Sequence, residues 1–117
     1  MSQVIDVKDV LERVQGDKEF MLELFDIFME DFTGKRDTFW KAFEKHDTSG
    51  FQMIAHGLKG ATGNISAAQM HDNCVALDLM GKDGDISNAR PALELLDRQF
   101  AEFKIEAARL KAEIQKQ

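Results

Sequence analysis

Two residues stand out as able to do chemistry: His56 and, three positions on, Lys59, set among Gly57, Gly60 and Gly63. An imidazole nitrogen is a good phosphoryl acceptor near neutral pH, because a substantial fraction of it is unprotonated. Phosphoryl transfer passes through a loose transition state, so positioning and charge neutralisation do most of the catalysis. A nucleophilic nitrogen, a nearby ammonium and free approach are the minimum equipment for such a transfer. The glycines speak to approach. Each costs about 1 kcal/mol relative to Ala inside a helix, and Gly60 and Gly63 would strip side chains from the surface beside His56. Gly57 falls between the two faces of the helix and is equally well explained by tolerance.

The segment from Phe51 to Ile65 has to be a helix for these residues to meet. At about 100° per residue, Phe51, Ile54, Ala55, Leu58, Ala61, Thr62 and Ile65 fall within about 60° of Leu58 and form a buried face. His56 lies about 160° from Leu58 by the same arithmetic and faces solvent. Met53, Gly60 and Gly63 flank it, with Lys59 at the edge. The other histidines carry less. His46 falls near a helix C-terminus, where positive charge is welcome. His71 borders a core face and reads as a packing or solvated residue. The spacings of residues 46, 56 and 71 match no i, i+3 or i, i+4 ligand pair, so no metal site is expected. Cys74 occupies a core position and reads as a small buried hydrophobe. As the only cysteine it can form no internal disulfide.

The rest of the chain reads as amphipathic helices with short breaks. Asp6 caps a short helix running to about Val14. Asp17 caps a second, strongly apolar helix from Lys18 to Phe32, with Thr33-Gly34 bending or breaking it before a segment that carries Phe39, Trp40 and Phe43. Asp47 caps the helix of His56, from about Thr48 to Asn64. A further helix covers roughly Ala67 to Met80, with Gly81 as its C-terminal stop. The last runs from about Ile86 to Ile114. It carries a three-and-four seam of Leu93, Leu96, Phe100, Phe103, Ala107, Leu110 and Ile114, with Pro91 limiting or bending its first turn. The expected fold is all-α: an up-and-down four-helix bundle with one or two short N-terminal helices, spanning 1–117 as one domain. The apolar excess from Phe20 to Phe32 exceeds what one core stripe needs. Either this helix is central, or it keeps apolar surface for a partner, in which case Phe20, Leu24 and Phe28, with Met53, are candidates for a docking rim around His56.

Composition narrows the function further. The net charge of −6 and the absence of a basic run argue against a nucleic-acid partner. No stretch approaches the roughly 18 apolar residues of a membrane span, and the N-terminus lacks signal-peptide character. A cytoplasmic location is expected. No P-loop is present, nor a Gly-rich loop after a strand. The chain is accordingly not expected to be an enzyme with its own nucleotide site.

His56-Gly57-Leu58-Lys59-Gly60 resembles the H-x-L-K-G signature of histidine-containing phosphotransfer (HPt) domains. Ala61-Thr62-Gly63-Asn64-Ile65 is similar to the family's small-residue continuation. Asp17-Lys18-Glu19-Phe20 through Glu30-Asp31-Phe32 is similar to its apolar, acidic second helix, and Asp47 resembles its usual cap. The resemblance covers the chain from about Asp6 to Leu110. It implies that His56 accepts a phosphoryl group from the aspartyl phosphate of a receiver domain and donates it to a second receiver. Lys59 would stabilise phosphate charge and Gly60 would clear the docking surface. The implied partners are response-regulator receiver domains and a hybrid sensor histidine kinase in a two-component phosphorelay. Mg2+ is expected on the partner receiver and no cofactor in this chain, and a monomer is expected. Two positions depart from the pattern. Ser66 stands where the family commonly has Gly, and Asp78 where some members carry an imidazole-orienting Gln. The alternatives are a non-catalytic helical adaptor docking on receivers, or the phospho-accepting module of a chemotaxis-type histidine kinase. Whether the end at Gln117 is natural separates the latter from the relay reading.

Overall fold

Helix-capping aspartates organise the first half of the molecule. The computed structural model describes residues 3–117, which fold into five helices with no strand among them. These are α1 (Val7–Arg13), α2 (Lys18–Glu44), α3 (Thr48–Asn64), α4 (Ala68–Asp83) and α5 (Arg90–Gln115). The first three begin alike. Oδ1 of Asp6, Asp17 and Asp47 accepts the backbone N–H of Asp9, Phe20 and Gly50 at 3.1, 3.0 and 2.9 Å, satisfying donors that no helical carbonyl can reach. α5 begins instead with Pro91 in its first turn, where a missing N–H costs nothing.

Three boundaries differ from the sequence expectation. α2 passes through Thr33-Gly34 as one helix of 27 residues. The Thr33 hydroxyl donates to the Met29 carbonyl at 2.8 Å within the helix. Buried Phe28, Phe32 and Phe39 on either side outweigh the propensity lost at one glycine. α4 continues beyond Gly81 to Asp83 and ends at Gly84, whose φ of +73° is the left-handed cap. Gly81 is an interior residue, bare because α3 lies against it: a Cβ there would sit 2.6 Å from Gln52 Cβ. α5 starts at Arg90 rather than Ile86, and Ile86 is a buried anchor in the preceding connection.

α2 packs on α3 and α5, and α4 packs on α3 and α5, so the four long helices enclose a common core. α1 lies against α2. Aromatic rings fill the α2–α5 side. Phe28 meets Phe103 and Phe100 with ring centroids 5.2 and 6.1 Å apart, and Phe32 meets Phe100 at 4.2 Å. Such contacts add about 0.5–1.5 kcal/mol each beyond area burial. Phe28 is therefore core, with almost no surface to offer a partner, which corrects its place in the expected docking rim. The seam of α5 is buried from Leu93 to Leu110. Outside it, Asp97 accepts Arg36 Nη2 at 2.7 Å and Trp40 Nε1 at 3.2 Å, tying α5 to α2.

The α3–α4 turn fixes how the helix of His56 meets its neighbour. Ser66 adopts φ +56°, a left-handed conformation that glycine adopts without strain. This is the physical content of the departure from Gly at that position. Compensating bonds surround it: Ser66 Oγ donates to Asp9 Oδ2 at 2.6 Å, and the Ser66 carbonyl accepts Asp6 N–H at 2.8 Å. The N-terminal segment is thereby fastened over the turn.

Candidate functional site

α3 buries Phe51, Ala55, Leu58 and Thr62, leaving the opposite face to solvent as the wheel requires. His56 projects from mid-helix with 61% of its side chain exposed. Met53, one turn earlier, is 72% exposed. Gly57 and Gly60 face open space, with nothing within 4 Å of where a Cβ would lie. The surface beside the imidazole is therefore bare backbone at these two positions.

Gly63 is different and corrects the expectation. A Cβ there would lie 3.2 Å from His71 Cε1, so this glycine seats a histidine of α4 rather than clearing an approach. His71 Nδ1 lies 2.9 Å from the Lys59 carbonyl and 3.3 Å from Thr62 Oγ1. A carbonyl can only accept, so Nδ1 carries the proton. His71 thus clamps α4 to the backbone of Lys59.

Asp78 of α4 settles the question its position raised. Its side chain is only 2% exposed, and it turns inward to the α3–α4 junction. Oδ1 accepts Gln52 Nε2 at 3.0 Å and stands 3.7 Å from His56 Nδ1. Oδ2 accepts Lys59 Nζ at 2.8 Å and lies 3.1 Å from Lys82 Nζ. Burial by itself would push the carboxyl toward its neutral form, but the bonds from Lys59, Gln52 and Lys82 outweigh it and hold Asp78 well below the usual carboxylate range. The result is a fixed anion at neutral pH, with two ammonium groups gathered on one of its oxygens and an exposed imidazole beside the other.

Gln52 and Lys82 did not stand out in the sequence. The signals were there in spacing alone: Gln52 is one turn before His56, and Lys82 is one turn after Asp78. The remaining candidates stay apart from this group. Cys74 is fully buried, and desolvation pushes its thiol up to about 12, which makes it inert as a nucleophile. His46 is the exposed residue following the α2 C-cap, with φ +54°. No group of three or more His, Cys, Asp or Glu able to hold a metal occurs among the described residues. Phe20 is exposed and Leu24 partly so.

The described residues are helical and present one exposed histidine at mid-helix, beside bare glycines and clustered lysines. The model of the Hpt domain family matches residues 23–115, and the chain belongs to that family: it is a histidine phosphotransfer domain. The crystal structure of histidine-containing phosphotransfer protein B (HptB) from Pseudomonas aeruginosa PAO1 has a similar fold. Its TM-score is 0.83 at 21% identity, covering 100% of this chain and 99% of that one. No curated protein matches the chain by sequence.

Proposed function

We propose that His56 is the phospho-accepting residue of a multistep two-component phosphorelay, taking a phosphoryl group from a receiver-domain aspartyl phosphate and passing it to another receiver. The observation that carries this reading is the exposed imidazole with its Nδ1 turned toward an ionised carboxylate. At 3.7 Å the two are beyond a hydrogen bond, and in this reading the accepting lone pair is that of Nε2, the other ring nitrogen. That lone pair forms the N–P bond as the P–O bond to the aspartyl carboxylate breaks, its electron pair returning to the carboxylate. The charge on the phosphoryl oxygens is stabilised by Lys59. Donation to the second receiver is the reverse.

In this reading the whole chain is one up-and-down bundle and works as a cytoplasmic, monomeric phosphocarrier without a nucleotide site. No described helix is long and apolar enough to cross a membrane. A hybrid sensor kinase supplies the phosphate, and the receiver brings the Mg2+. Gly60 and Gly57 admit the receiver closely, and Met53, Phe20 and Leu24 contribute apolar contact around the site.

The test is transfer from a labelled receiver to this protein, beside His56→Gln. Acid-labile, alkali-stable label on the wild type alone establishes the carrier. A folded protein that binds receivers and takes no label is an adaptor.

A further inference from the structure

We propose that Lys82 is a second phosphate-binding cation, and that Asp78 stores both lysines beside His56 until a phosphoryl group draws Lys82 away. The inference rests on the phosphotransfer reading above and extends it to a residue outside the signature motif.

Both ammonium groups contact the same oxygen, Oδ2, Lys59 at 2.8 Å and Lys82 at 3.1 Å. Two positive charges against one negative leave the cluster with a surplus cation next to the imidazole. A phosphoryl group brings about −1.5 to −2 charge and three strong acceptors, more than that arrangement neutralises while both lysines stay on Asp78. One of them has to turn outward. Asp78 cannot follow, since its side chain is 2% exposed and its other oxygen is held by Gln52.

Lys82 is the one free to move. Its side chain is 49% exposed, against 27% for Lys59. It sits on the same helix as Asp78, one turn on, so its departure breaks no link between helices. Lys59 instead bridges α3 to α4. With Lys82 gone, Lys59 and Gln52 still satisfy both carboxylate oxygens, and no buried charge is stranded. An ammonium on a flexible four-carbon stem reaches the phosphoryl oxygens by rotation about its own bonds.

Phosphoramidate, a small donor that needs no receiver, tests this on the full chain. The His56 lone pair forms the N–P bond, the donor's P–N bond breaks, and ammonia leaves with a proton from solvent. Lys82→Ala should slow His56 labelling roughly tenfold, the effect of losing one charge-assisted hydrogen bond. Lys82→Arg should restore most of the rate. In the wild type, the Lys82 ammonium resonance should shift on phosphorylation more than that of Lys59. A wild-type labelling rate in Lys82→Ala, or an unmoved Lys82 resonance, overturns the role of Lys82 and leaves His56 as the acceptor. If the wild type takes no more label than His56→Gln, the phosphotransfer reading fails and this inference with it.

Discussion

Lys59 donates to Asp78 Oδ2 at 2.8 Å, a bond that joins the helix of the candidate acceptor to its neighbour through a carboxylate hidden from solvent. The anion holds Lys59 and Lys82 in place, so its loss should be felt in stability as well as in transfer. Asp78→Asn should cost about 1–3 kcal/mol near neutral pH, the range for bonds to a charged group in a buried site.

The same pair fixes a pH dependence. The Asp78 pKa in the folded protein lies below the ordinary value of 3.8. The stabilisation is therefore complete above that value and declines as the pH falls from it toward the folded one. Urea unfolding should show the wild type and Asp78→Asn furthest apart at neutral pH and converging below about pH 4. A gap that stays constant to lower pH would mean that the charge of Asp78 contributes nothing to folding.

Glycines of α3 and α4 should respond to alanine with opposite signs. Gly57 and Gly60 face open space, so Gly57→Ala and Gly60→Ala should stabilise the isolated protein by about 0.5–1 kcal/mol. At Gly81 a Cβ would meet the Gln52 backbone at 2.7 Å, and Gly81→Ala should cost about 1–3 kcal/mol. Gly63→Ala should fall between, because the His71 ring that it meets is a side chain able to yield. Melting temperatures decide the order. Gly60→Leu should in addition slow transfer from a receiver while leaving phosphoramidate labelling intact, which separates close approach from chemistry.

What could be read from the sequence follows the physics of each element. Caps at Asp6, Asp17 and Asp47 act within three residues, so local sequence specifies them, and the exposure of His56 follows from helical period alone. Gly81 and Phe28 were misread because their roles depend on what packs across from them. Gly81 is bare for the sake of Gln52, and Phe28 is buried by Phe100 and Phe103, partners 29 or more residues away in the chain. Lys82 was missed for a related reason: a surface lysine gains meaning only once the orientation of Asp78 is known.

The apolar residues of α2 and α3 separate into core and surface, and substitution should expose the division. Phe28→Ala should cost about 3–5 kcal/mol as a large-to-small change in a packed core. Met53→Asp should leave stability within about 0.5 kcal/mol of wild type and weaken receiver binding, measured by titration calorimetry. Unchanged affinity would remove Met53 from the docking rim.

Ser66 combines a strained backbone with a useful side chain, and two substitutions can pull these apart. Its φ of +56° costs a non-glycine residue roughly 1–2 kcal/mol. Its hydroxyl meanwhile bonds the Asp9 carboxylate at 2.6 Å, and that bond helps hold the Asp9 carboxyl below its ordinary range. Ser66→Ala keeps the strain and loses the bond, so it should be less stable than the wild type. Ser66→Gly loses the bond and relieves the strain, and should be more stable than Ser66→Ala by about 1 kcal/mol. Urea unfolding of the three proteins gives the order directly. Equal stability of the Ala and Gly variants would mean that the turn relaxes once the hydroxyl is gone, and that the bond to Asp9 is what holds Ser66 in the left-handed region.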